Sequence, residues 1–206
     1  RAGVRRLIFS SSCAIYGLHA AGALTEDRLP EPASPYATAK LACEHLLRNF
    51  HELYGLETVC LRYFNVFGPR QDPASPYGAV IPKFIHALLS SEPPVIYGDG
   101  RQTRDFIPVD QVAWTNLQAA AAPAGTVVNV GRGRSMDLWE LLDHLREASG
   151  VQIGPRLAPA RTGEVRDSLA DTQHYREIFG EYPGPGVPEA LALTVAWYRE
   201  NLSRLH

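Results

Sequence analysis

Tyr36 and Lys40 lie four residues apart in Pro35-Tyr36-Ala37-Thr38-Ala39-Lys40, a spacing that sets an ammonium beneath a phenol on one helix face. A phenol ordinarily titrates near ~10, and a base made from one needs a neighbouring positive charge to favour the phenolate. Lys40 is placed to supply it. The same spacing also occurs by chance as a surface contact on amphipathic helices, so its surroundings decide its meaning.

Those surroundings point one way. Arg6-Leu7-Ile8-Phe9 reads as a buried strand running into Ser10-Ser11-Ser12-Cys13-Ala14-Ile15-Tyr16-Gly17, a strand end and turn of the kind where open α/β sheets place their sites. Thr58-Val59-Cys60-Leu61-Arg62-Tyr63 is a second apolar run, ending in Phe64-Asn65-Val66-Phe67-Gly68-Pro69. Between the two, the prolines at 30, 32 and 35 mark a loop leading into a helix expected over Pro35–Tyr54, with proline suited to its first turn and Gly55 to its stop. Further helices are expected over Val80–Ser91, Asp110–Ala122, Asp137–Ala148 (capped by Ser135 or Asp137), Asp171–Phe179 and Pro188–Leu205. Short strands are expected near Val95–Tyr97, Arg104–Ile107 and Val127–Val130.

In this order, the serine turn, PYxxxK, LRYFNVFGPRQ, Val80-Ile81-Pro82-Lys83-Phe84, Gly98-Asp99-Gly100-Arg101-Gln102-Thr103-Arg104-Asp105-Phe106, Asn129-Val130-Gly131 and Arg161-Thr162-Gly163-Glu164 resemble the extended short-chain dehydrogenase/reductase family, and within it the nucleotide-sugar epimerases and dehydratases. The resemblance spans nearly the whole chain. It implies an α/β fold: a partial Rossmann-like, doubly wound parallel sheet with a smaller α/β substrate-binding domain. Residues 1–76 would form the second part of the NAD-binding domain. Residues 77–206 would be mainly the nucleotide-sugar domain, with about 108–130 returning to the first. The family's glycine-rich turn for the NAD pyrophosphate is not found here: no G-x-x-G-x-x-G or G-x-G-x-x-G occurs, and Gly131-Arg132-Gly133 lacks the third glycine. The chain therefore matches a C-terminal portion of the family.

The resemblance also implies roles. Tyr36 is the catalytic base, Lys40 supports it and holds the nicotinamide ribose, and Ser12 hydrogen-bonds the reacting hydroxyl. For Ser10, Ser11 and Ser12 the plain alternative is a strand-end hydroxyl satisfying the backbone. Ser10, Tyr63 and Phe64 fall on the cofactor side, although the two aromatics could be core. Arg104 and Arg161 match the family's diphosphate ligands, since a guanidinium makes paired bonds to phosphate oxygens; either could instead pair on the surface with Asp105 or Glu164. Asn65 matches the asparagine that contacts the diphosphate, with turn capping as its alternative. Ile81, Pro82 and Phe84 would flank the uracil or simply pack.

Cys13 and Ala14 follow Ser12 where the resembling dehydratases and decarboxylases carry acids, so the resemblance implies epimerisation at the 4-position through a transient 4-keto sugar. The small Ser168 stands where galactose-type enzymes have a tyrosine, which leaves room for an N-acetyl group. The expected substrates are UDP-glucose/UDP-galactose or the UDP-N-acetylhexosamine pair, with NAD as cofactor. The alternatives are an enzyme of GDP- or dTDP-sugars and an inactive fragment that only binds a nucleotide sugar or a partner chain. A homodimer through the Tyr36 helix is expected, with Leu41, Leu46, Leu47 and Phe50 serving either that interface or the core.

Composition fits a soluble globular chain: 206 residues, 45% hydrophobic, 20% charged, net charge −2. That balance gives no reason to expect nucleic acid, and no apolar run nears the ~20 residues that span a bilayer. Cys13, Cys43 and Cys60 read as reduced core residues of a cytoplasmic protein. Seven histidines lack metal-ligand spacing.

Overall fold

The computed structural model describes residues 3–18, 22–74, 80–161 and 165–201. Thr162, Gly163 and Glu164 of the Arg161 segment, Pro76, and residues 202–205 of the expected last helix lie outside the described residues.

The first sheet is parallel, in the order β1 (Arg6–Ser12), β2 (Glu57–Tyr63), β6 (Thr126–Val130). Its register pairs Ser10 with Leu61, Ser12 with Tyr63 and Tyr63 with Val130, so the serine-rich strand end lies level with the end of β2. Alternation along β2 separates two faces. Val59 and Leu61 join Val128 and Val130 in a core covered by α3 (Val109–Gln118) and α5 (Gln173–Phe179), through Val112, Trp114 and Tyr175. On the other face Arg62 meets α1 (Pro35–Tyr54). Helices on both faces make the sheet doubly wound, as expected of this α/β class.

β2 is central, and its middle five residues are buried; β1, paired on one side only, keeps Leu7 exposed. α1 starts where Ser34 Oγ accepts the Ala37 N–H at 3.1 Å and proline occupies the first turn. It stops at Gly55, whose φ of 70° is the left-handed conformation that glycine adopts at little cost.

After β2 the chain forms the smaller layer. A second sheet orders β3 (Asn65–Phe67), β5 (Thr103–Pro108) and β7 (Ser135–Asp137), parallel then antiparallel, and β4 (Val95–Tyr97) pairs in parallel with β8 (Arg156–Ala158). Its core joins α2 (Val80–Leu89), α4 (Leu138–Ser149) and α6 (Val187–Asn201) through Ile81, Ile85, Leu88, Leu141, Leu145, Leu191 and Tyr198. Three short strands, β3, β7 and β8, were not expected from the sequence. The helices at Val80, Asp110 and Asp171 are each shorter than expected.

Candidate active site

The three serines at the end of β1 differ in their bonds. Ser10 offers its carbonyl to Lys40 Nζ at 2.7 Å, and its hydroxyl favours the ionised form of the neighbouring Tyr63 phenol. Ser11 is buried and donates to Glu44 Oε1. Ser12 caps a single 3-10 turn, Cys13–Tyr16, accepting the Ala14 N–H at 3.2 Å. That contact uses the Ser12 oxygen and leaves its O–H proton uncommitted by this bond.

Tyr36, 55% exposed, stands in the first turn of α1. One turn on, the Lys40 ammonium lies 5.6 Å from the Tyr36 ring centre and 5.0 Å from that of Phe9. Lys40 is thus held between β1 and the tyrosine ring. Tyr63 is half-buried and its oxygen accepts from Asn116 Nδ2 at 2.7 Å; burial first of all pushes its phenol up. Phe64 is buried in a small core with Ile15, Tyr16 and Leu24.

A cavity of about 340 Å³ opens in the smaller layer, lined by Asn65, Lys83, Phe84, Tyr97, Arg104 and Arg161 among others. Among the described residues three cations and no carboxylate line it, which favours an anion, while Val80, Val95, Phe84, Phe106 and Leu138 give it apolar walls. Arg104 Nη1 donates to the Thr103 and Arg166 carbonyls at 2.8 and 3.3 Å. Arg161 lies over Tyr97, its guanidinium carbon 3.7 Å from the ring centre, and bonding to Arg161 holds the Tyr97 phenol below its usual range. Of the expected uracil residues, Phe84 lines the cavity; Ile81 and Pro82 are buried and are not among its walls.

The cavity joins the serine turn through a polar chain. Asn65 Nδ2 donates to Ser168 Oγ at 3.4 Å and to the Asp105 carbonyl at 3.3 Å; burial pushes the Cys13 thiol up to about 12, with neighbouring Ser168 pulling the other way. Ser168 is therefore buried between the two groups rather than lining the cavity.

Asp105 does not pair with Arg104. Its buried carboxylate accepts the backbone N–H groups of Arg132, Gly133 and Ala170 at 2.8, 2.9 and 3.2 Å. A Cβ on Gly131 would come within 2.8 Å of that carboxylate, which explains the Gly-Arg-Gly sequence as a close backbone approach. Glu44, Arg62 and Asp105 were not singled out from the sequence. The available signal was a carboxylate two helical turns beyond Tyr36 and an arginine inside an apolar strand.

Comparison with known proteins places these features in context. The model of the NAD dependent epimerase/dehydratase family matches residues 1–131. A UDP-glucose 4-epimerase of Mycolicibacterium smegmatis is 38% identical over 97% of this chain and 64% of its own. A UDP-N-acetylglucosamine 4-epimerase of Methanobrevibacter ruminantium, solved with UDP-N-acetylmuramic acid, superposes with a TM-score of 0.92 at 44% identity, covering 96% of this chain and 64% of that one. A UDP-glucose 4-epimerase of Thermotoga maritima, solved with UDP-glucose, gives 0.92 at 39%, covering 97% and 65%. The chain thus spans about 64% of the length of the curated relatives it matches.

Proposed function

Because the chain belongs to the NAD dependent epimerase/dehydratase family, we propose that it carries the catalytic residues and the nucleotide-sugar site of an NAD-dependent UDP-sugar 4-epimerase. Its substrates are UDP-glucose/UDP-galactose or the UDP-N-acetylhexosamine pair. The observation that carries this reading is the cavity that gathers Lys83, Arg104, Arg161 and Asn65, with Asn65 bonded to Ser168 beside the turn that bears Ser12. The UDP-sugars in both solved relatives support it.

Tyr36 takes the proton of the sugar 4-hydroxyl, Lys40 stabilises the phenolate, and Ser12 holds the reacting oxygen. Arg104, Arg161 and Asn65 bind the diphosphate, and Phe84 flanks the base. The residues present fit the nicotinamide-ribose end of NAD: Lys40 offers donors beside an exposed Tyr36, with Ser10 and Tyr63 adjoining. A pyrophosphate cradle of the G-x-x-G-x-x-G type is not among these 206 residues. NAD supplies the reversible two-electron acceptor that interconverting a hydroxyl and a ketone requires. Cys13 in place of an acid argues for epimerisation over dehydration.

We assign residues 1–76, with about 108–130, mainly to the cofactor lobe and the rest mainly to the nucleotide-sugar lobe; β3 and α5 cross that division, β3 lying in the second sheet and α5 against the first. Leu46, Phe50, Leu53 and Tyr54 form an exposed apolar stripe along α1, which supports a homodimer through that helix. The absence of a long apolar helix among the described residues is compatible with a cytoplasmic enzyme. Calorimetric titration of the 206-residue chain with UDP-N-acetylglucosamine, UDP-glucose, and GDP- and dTDP-sugars tests the reading. Preference for the UDP-sugars supports it; preference for another base moves the assignment to the enzymes of that nucleotide, and no binding at all removes it.

A further inference from the structure

α1 buries a charge as well as apolar surface: among the described residues its two buried side chains are Ala37 and Glu44, with Leu41 packed partly buried against Ile15, Tyr16, Leu24 and Phe64. Glu44 is 7% and Arg62 6% exposed. Arg62 Nε donates to both Glu44 oxygens at 3.1 and 3.3 Å, and Nη2 donates to Oε2 at 2.8 Å. Ser11 Oγ donates to the same carboxylate. Arg62 Nη1 reaches on to the Tyr16 phenol and the Glu26 carbonyl, each at 2.9 Å, and Tyr16 donates to Asn129 Oδ1 at 2.7 Å. Burial lowers the Arg62 guanidinium, but its bonds to Glu44 and Tyr16 outweigh that and raise it overall.

A buried ion pair of this kind is poor evidence for stability, because well-packed apolar residues of similar volume often do as well. Its placement suggests another role. Ser11 precedes Ser12, and Arg62 precedes Tyr63, the register partner of Ser12. Lys40 and Glu44, one turn apart, bond to consecutive residues of one strand, Ser10 and Ser11. Two such bonds fix both the rotation and the depth of a helix against that strand.

We propose that Glu44, clamped by Arg62, is a positioning residue that holds Lys40 on the Ser10 carbonyl and thereby sets Tyr36 against Ser12; its bearing on catalysis rests on the role given to Tyr36 above. The chain has only two lysines, Lys40 and Lys83, so the ε-ammonium signals of a ¹⁵N-lysine-labelled sample report the site and an internal control. In the apolar double variant E44L/R62M, thermal stability stays near that of the parent while Lys40 ammonium protons exchange about tenfold faster and those of Lys83 do not change. Unchanged Lys40 exchange in the folded double variant would overturn the proposal. If the double variant does not fold, E44Q, which keeps the side-chain volume, is judged by the same two signals. Failure of the catalytic reading is seen separately, as full 4-epimerase activity of Tyr36→Phe in a longer enzyme, and leaves the Lys40 measurement intact.

Discussion

Arg161 lies over Tyr97 while Arg104 is tied to two carbonyls, so under the proposed function the two guanidiniums meet a diphosphate from different starting states. Arg104 is already oriented, whereas Arg161 exchanges a stacking contact for phosphate bonds. Arg104→Ala is therefore expected to weaken UDP binding by about 30- to 100-fold and Arg161→Ala by about tenfold in calorimetry. Ser168→Tyr should impair UDP-N-acetylglucosamine more than UDP-glucose; equal loss on both would remove Ser168 from substrate selection. Asp105 provides a test by pH. Burial pushes its carboxyl up to about 6, against the pull of its backbone donors. That lies above the ~3.9 of an unfolded aspartate, so the folded chain keeps this proton to higher pH than the unfolded chain does. The associated stability is complete below about pH 4 and is lost as pH rises through about 6, on the order of 3 kcal/mol. The stability advantage of the parent over Asp105→Asn in denaturant titrations should shrink accordingly across that window, and an advantage that grows would contradict the assignment. The placement of Tyr36 and Lys40 on one helix turn and of Ser12 at a strand end was legible because that spacing and context are local. Glu44 and Asp105 were not, since their partners lie far along the chain: Arg62 for one, and residues 132, 133 and 170 for the other.

The helices were legible in proportion to their punctuation. α1 was bounded correctly by Pro35 and Gly55, and the start of α4 by Asp137, whose carboxylate accepts the Trp139 and Glu140 N–H groups at 2.9 and 2.8 Å. The helix expected from Asp110 instead begins at Val109 and ends at Gln118, because the alanines that follow form turns against the sheet rather than another helical turn. The strands β3, β7 and β8 have three residues each, too few for a period to show. Only pairing across the chain creates them. The cap of α4 can be tested directly. Asp137→Ala should cost about 1 kcal/mol and lower the melting temperature by a few degrees. Asp137→Asn keeps a capping oxygen and loses only the ion pair with exposed Arg101, so it should cost less.

At the scale of the molecule, two surfaces are left open. β1 has a free edge in the described structure, and α1 carries the exposed stripe Leu46, Phe50, Leu53 and Tyr54. Such surfaces drive association. Sedimentation of the 206-residue chain should show concentration-dependent self-association that Phe50→Glu with Leu53→Glu weakens; a monomer at every concentration would count against the interface. The path of the chain has a further consequence. It leaves the parallel sheet at the end of β2, builds β3, α2, β4 and β5 of the smaller layer, returns as β6 to pair with β2, and then completes the smaller layer with β7, α4, β8 and α6. Neither layer can come apart while the other stays whole, so heat should melt them as a single cooperative unit. A ligand that tightens the cavity should also slow amide exchange in β6, where no part of that ligand touches.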